Sequence, residues 1–288
     1  MNKIINTMRK EALATIGLYK PFITRKKNRR QPPIHLFWWS DPSNNLYNFG
    51  DEITQDIISH LFGYHVHWST VDSCDMIGAG SLLEYVEARC NTNEIKVWGS
   101  GYIQKGDKNK NNNFDFFAVR GKRTLKRIEE KERKIPLGDP GLLTSLIYPK
   151  EKTDGRIGII PHYVDLNSTY IKKIKKDKRY KIISPLQPPK QVAKQLSSCS
   201  IILSSSLHGL ILADSYRIPN AHIVFSDKVI GGDYKFKDYC SGVDKEYLSF
   251  NKNDIKNIEK IYAIKSKYKP IRYLRKIQRR LIKSFPYQ

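Results

Sequence analysis

The run SIILSSSLHGLILADSYRIP, Ser200 to Pro219, constrains this chain more than any other stretch. Ile201 to Leu203 have the length and composition of a buried strand. Three serines and His208-Gly209 follow, then Leu210 to Ala213, an apolar helix that Pro219 ends. A strand that enters a small-residue turn and leaves as a helix puts that turn at the C-terminal edge of a parallel sheet. Open α/β sheets bind ligands there, and the unpaired N–H groups of a helix's first turn favour an anion. His208 sits in the turn. Its imidazole reads equally as a helix-capping group or as one that moves a proton at a bound substrate.

The same alternation runs through the rest of the chain. Ile34 to Trp39 reads as a first strand, and Asn48-Phe49-Gly50-Asp51 leads into a helix from Glu52 to Phe62. Asp51 is either that helix's N-cap or a carboxylate holding a sugar hydroxyl. Tyr64–Trp68 and Met76–Ile77 are short strands, the second running into Gly78-Ala79-Gly80-Ser81. Ile95–Trp98 repeats the pattern and ends at Gly99-Ser100-Gly101. Neither glycine turn completes the G-x-G-x-x-G pattern with a downstream acid, so no nicotinamide site is assigned. Phe114–Val119 is a strand that delivers Arg120, ahead of a charged helix from Lys122 to Lys134. The Arg120 guanidinium suits a carboxylate or phosphate, and equally a salt bridge. Gly138-Asp139-Pro140 opens a helix from Leu142 to Tyr148, and 149–155 has linker composition.

A second βα series starts at Ile157–Pro161, which ends on His162. It continues through Tyr180–Ser184, a helix from Pro188-Pro189, the Ser200–Pro219 run, and Ala221–Phe225 leading to Lys228. The expected fold class is α/β, with two Rossmann-like domains, residues 31–150 and 151–269. Residues 1–30 and 270–288 flank them as basic amphipathic segments.

Charge narrows the partners. The formal net charge of +23 implies polyanionic surroundings. Met1 to Arg30 carries nine Lys or Arg against one acid, and Lys265 to Lys283 carries nine and none. Ile4, Ile5, Met8, Ala12 and Ile16 share one helical face at the front. Ile271, Leu274, Ile277, Leu281 and Ile282 share one at the back, so both ends are expected to lie on an anionic membrane or to dock on the protein. No apolar run reaches the ~20 residues of a spanning helix. The four scattered cysteines carry no metal spacing, which suits a reduced cytoplasmic protein.

These pieces together resemble the polysaccharide pyruvyl transferases. Ser204-Ser-Ser-Leu-His208-Gly209, its apolar helix and Arg217-Ile-Pro219 are similar to the family's Ser-x-x-x-His-Gly signature. Asn48-Phe49-Gly50-Asp51, the two glycine turns, Ala118-Val119-Arg120 and Gly138-Asp139-Pro140 follow the family order, as does Lys228, 20 residues after His208. The resemblance implies the two-domain GT-B architecture, with domains facing across a cleft. It implies transfer of pyruvate from phosphoenolpyruvate to two hydroxyls of one sugar, giving a cyclic ketal and phosphate, with no metal and no cofactor. Carried onto this sequence, His208 is the acid/base, and Arg120, Lys228, Ser206 and Gly209 contact phosphoenolpyruvate. Asn48, Gly50, Asp51, Gly80 and Gly101 lie on the acceptor side. The acceptor is expected to be a lipid-linked oligosaccharide at the inner membrane face. Several members have an Arg where Ser206 stands, so the charge on the donor must come from elsewhere. Two rivals remain at this level: a nucleotide-sugar glycosyltransferase of the same fold, and a basic nucleic-acid-binding protein. Charge heavy at both termini, rather than spread as a groove with interleaved aromatics, disfavours the second.

Overall fold

The computed structural model describes residues 32–40, 48–90, 94–108, 113–128 and 134–288. The expected amphipathic segment 1–30 lies outside them, as do the loop 41–45 and the 129–133 portion of the charged helix.

Two five-stranded sheets carry the fold. The first comprises β1 (Ile34–Phe37), β2 (Val66–Trp68), β3 (Met76–Ile77), β4 (Ile95–Trp98) and β5 (Phe114–Ala118), ordered β2-β1-β3-β4-β5. The second comprises β6 (Ile157–Ile160), β7 (Tyr180–Ile182), β8 (Ile201–Ser204), β9 (Asn220–Val224) and β10 (Ser249–Asn251), ordered β10-β9-β8-β6-β7. Every pairing is parallel. Counted from its own first strand, each sheet has the doubly wound order 2-1-3-4-5. Its ligand-binding switch point therefore falls between the first and third strands. In the second sheet that point is where β6 gives way to Pro161-His162 and β8 to Ser205-Ser206.

The helices are α1 (Phe49–Ile57), α2 (Leu83–Glu87), α3 (Lys122–Leu125), α4 (Thr144–Ile147), α5 (Thr169–Ile174), α6 (Pro189–Ser197), α7 (Leu207–Ser215), α8 (Tyr234–Gly242), α9 (Ile258–Lys267) and α10 (Leu274–Lys283). Asn48 caps α1 by accepting the Gly50 N–H at 3.1 Å. The helix runs on as a wider turn, Ile58–Phe62, which Gly63 ends at φ 78°. All nine residues of α7 are buried, as an apolar-all-round sequence requires. A single apolar core crosses between the sheets, joining Ile53 and Ile57 of α1 to Leu142, Leu143, Val192, Ile211 and Leu212.

Of the two alternatives for the C-terminal segment, its apolar stripe takes the second and docks on the protein. Leu274, Leu281 and Ile282 of α10, with Ile271 and Phe285 beside it, belong to that same core, and Ile277 packs against it. The Trp98 indole donates to the Leu281 carbonyl at 3.0 Å, and Phe285 stacks on Phe62 with ring centroids 3.9 Å apart. The apolar stripe drawn for a bilayer is spent on the first half of the chain itself. No helix among the described residues is long and apolar enough to cross a membrane.

Candidate functional site

The turn between β8 and α7 brings His208 to the junction of the two halves. Its ring is 4% exposed and meets the Phe49 ring edge-on at 6.3 Å. A Cβ on Gly50 would lie 1.9 Å from His208 Nδ1, so only glycine lets α1 approach the imidazole this closely. Opposite, His208 Nε2 lies 3.7 Å from Asp139 Oδ2. The other Asp139 oxygen accepts the Gly141 N–H at 2.8 Å and fixes the carboxylate at the start of the turn 140–143. Nε2 and Oδ2 are both buried, and neither has a hydrogen-bond partner among the described residues.

Asp51 stands beside this pair, its Oδ2 accepting from Asn48 Nδ2 at 2.9 Å. Burial pushes its carboxyl up to about 6, while the nearby His208 and Lys235 charges pull the other way. Gly80, at φ +117°, leaves room for it, since a Cβ there would meet Asp51 Oδ1 at 2.5 Å. Glu52, next along α1, is driven up to about 7 by burial and by the neighbouring Asp56 and Asp51 carboxylates.

Lys235, in the first turn of α8, supplies positive charge. It is buried, and its ammonium lies 5.8 Å from the Phe236 ring. It forms no hydrogen bond or ion pair with the described residues. Burial, reinforced by the Arg120 charge, lowers it to about 8. His162 and His222, both within reach of the Lys235 charge, are pushed down to about 4, chiefly by burial, and stay neutral. The His162 backbone N–H donates to Ser205 Oγ at 2.7 Å, tying the two sides of the second switch point together. Trp39, just past β1, stacks on Tyr163 with centroids 5.7 Å apart, so the switch points of both sheets converge.

The structure places the remaining expected residues differently. Arg120 is fully buried: Nε binds Asp238 at 2.9 Å, Nη1 donates to Ser81 Oγ at 2.6 Å, and Nη2 to the Tyr102 carbonyl at 2.5 Å. It is a tie between the halves, its Nε, Nη1 and Nη2 all engaged by protein partners. Gly101 serves that tie, because a Cβ there would lie 2.5 Å from the guanidinium carbon. Gly209 lies against Ser204 Oγ in the same way, so packing alone requires glycine at both positions. Ser206 is the N-cap position of α7 but makes no side-chain cap bond; the Gly209 N–H donates to the Ser206 carbonyl at 3.1 Å. Lys228 is exposed on the loop after β9.

Sequence reading passed over Asp139 as a partner and Lys235 altogether. Asp139 carried a signal, the Asp-Pro step that starts a helical turn. Lys235 carried none, being one of 51 Lys and Arg. Among the described residues, no His, Cys, Asp and Glu side chains are grouped so as to hold a metal ion.

Two doubly wound parallel sheets, with a buried His–Asp pair where they meet, define an α/β protein built from two Rossmann-like sheets. The family model described as polysaccharide pyruvyl transferase matches residues 1–227, and the chain belongs to that family. It is also 38% identical over 152 residues to uncharacterized protein L143 of Acanthamoeba polyphaga mimivirus. That match covers 48% of this chain and 53% of the relative, so it spans about half the length of each.

Proposed function

We propose that the protein transfers the pyruvyl group of phosphoenolpyruvate to two hydroxyls of one sugar, in a polysaccharide or its lipid-linked precursor. The product is a cyclic ketal, and phosphate is released. One observation carries the reading: the paired, unsatisfied Nε2 of His208 and Oδ2 of Asp139. Buried polar atoms without partners cost about 1–3 kcal/mol each. A folded protein that keeps two of them face to face holds them for a ligand or a proton.

The bond changes balance without any co-reactant. The methylene carbon of phosphoenolpyruvate takes a proton, and a sugar oxygen bonds to the central carbon. The carbon–oxygen bond to phosphate breaks, and the second hydroxyl closes the ring. Of the two hydroxyl protons, one ends in the new methyl group and the other on phosphate. His208, steadied by Asp139, moves protons. Asp51, its carboxyl raised to about 6 and so deprotonated near neutrality, accepts one from a sugar hydroxyl. Lys235 and the start of α7 receive the phosphate. The halves act as two GT-B-like domains across a cleft, the first carrying Asn48, Gly50 and Asp51 toward the acceptor. The protein works at the cytoplasmic face, held to anionic lipid by its basic surface.

Calorimetry with phosphoenolpyruvate, followed by phosphate release in the presence of saccharide acceptors, tests the proposal. Heat on adding the enol phosphate and none with nucleotide sugars is expected. The reverse result overturns it.

A further inference from the structure

A cavity of about 530 Å³ opens beside the His208 site and is used by none of the steps above. Ser205, His222, Tyr247, Ser249 and the loop 224–233 line it. Ser205 is at the second switch point, and His222, the β9 register partner of the adjacent Ser204, lies within reach of the Lys235 charge that also acts on Asp51. The cavity and the reacting groups are thus neighbours across Lys235. Its roof is braced by the first half, for the Gly231 backbone lies so close to Ile103 that a Cβ would come within 2.1 Å of the Ile103 carbonyl.

Charge decides what this cavity takes. Asp233 is paired with Lys237 at 2.5 Å, and Asp227 is offset by Lys228. His222 is held by Tyr247, its Nδ1 2.6 Å from the phenol oxygen, and stacks on Phe236 at 3.7 Å. The lining is therefore close to neutral, which suits neither a compact trianion nor a diphosphate. Its chemistry is hydroxyl-rich, with Ser205, Ser226, Ser249 and Tyr247. Val224 and Ile230, 40% and 65% exposed, add apolar surface at the wall. Polar edges beside apolar faces match a sugar ring. The volume falls in the roughly 300–1,000 Å³ range of pockets that bury a multi-ring ligand, far roomier than the enol phosphate needs.

We propose that this cavity binds the neutral sugar units adjoining the one that is modified, so that acceptor selection lies with the second half of the chain. The inference rests on the pyruvyl-transfer reading, and its test separates the two. Saturation-transfer NMR on the full chain, with methyl glycosides and disaccharides of galactose, glucose, mannose and their N-acetylamino forms, reads sugar binding without turnover. Val224→Trp fills the cavity from the end of β9, where the side chain is half exposed. The expected result is sugar binding in the native protein, weakened on the order of tenfold or more in Val224→Trp, with heat from phosphoenolpyruvate and thermal midpoint unchanged. Tyr247→Phe, a smaller change, weakens the same sugars. Undiminished sugar binding in Val224→Trp, absence of sugar binding in the native protein, or loss of the phosphoenolpyruvate heat alone each overturns the assignment. Sugar binding sensitive to Val224→Trp, with no phosphoenolpyruvate heat in the native protein, leaves the cavity assigned and removes the pyruvyl donor.

Discussion

At the scale of single residues, the site is a set of groups whose burial opposes their usual ionisation. Asp139→Asn keeps the oxygen that receives the Gly141 N–H and removes the charge facing His208. Turnover should fall by about 10²–10⁴ while thermal stability holds, as phosphate release and a melting curve would show; near-native turnover would remove the pair from the mechanism. His208→Ala should abolish transfer with the fold intact. The pH profile follows from two signs. Asp51, raised to about 6, works as a base only when deprotonated, so activity climbs as pH passes through about 6. Lys235, lowered to about 8, holds phosphate only while protonated, so donor binding fails as pH passes through about 8. A bell with those limbs is expected, and Lys235→Arg, which cannot lose its charge, should flatten the alkaline one. His208 was legible because its flanking serines and helix mark a strand-to-helix turn. Lys235 was not, because what sets it apart from most of the described cations is burial, which it shares with Arg120, and burial is a property of the fold.

At the scale of elements, the two halves are riveted where α8 meets α3. Asp238, fully buried, accepts from Arg120 Nε, from the Arg123 and Thr124 N–H groups at 3.0 and 2.9 Å, and from Thr124 Oγ1 at 2.8 Å. One carboxylate from the second half thus caps a helix and neutralises an arginine of the first. Truncating it in Asp238→Ala leaves the Arg120 charge buried and unpaired, a loss of about 3–5 kcal/mol. The thermal midpoint should drop by on the order of 10 °C; a shift within a degree or two would mean that the tie carries no load. Sequence patterns gave the strands well, because β6 and β8 are buried on both faces and read as unbroken apolar runs. They missed α8 and α9, whose apolar positions are interleaved with lysines, and β10, which is only three residues long. Arg120 was placed at the correct strand end. Its partner, 118 residues away in sequence, is a tertiary fact that no local pattern encodes.

At the scale of the whole molecule, the question is what the basic surface meets once its apolar stripe is taken. The nine Lys and Arg from Lys265 to Lys283 are all exposed, and no acid lies among them. With Leu274, Leu281 and Ile282 packed in the core, α10 has nothing to insert between lipid tails, so its attraction to a membrane can only be electrostatic. Each cation near an anionic surface contributes about 1 kcal/mol, an effect confined to a Debye length. That length shrinks from about 10 Å at 0.1 M salt to 3 Å at 1 M. Cosedimentation of the full chain with phosphatidylglycerol vesicles should therefore be strong at low salt and vanish near 1 M. Reversing Arg272, Arg275, Lys276 and Lys283 to Glu should abolish it at low salt without lowering the melting temperature, because those side chains face solvent while the buried stripe is untouched. Binding that survives both high salt and the reversal would place the membrane contact on an inserting segment elsewhere in the chain.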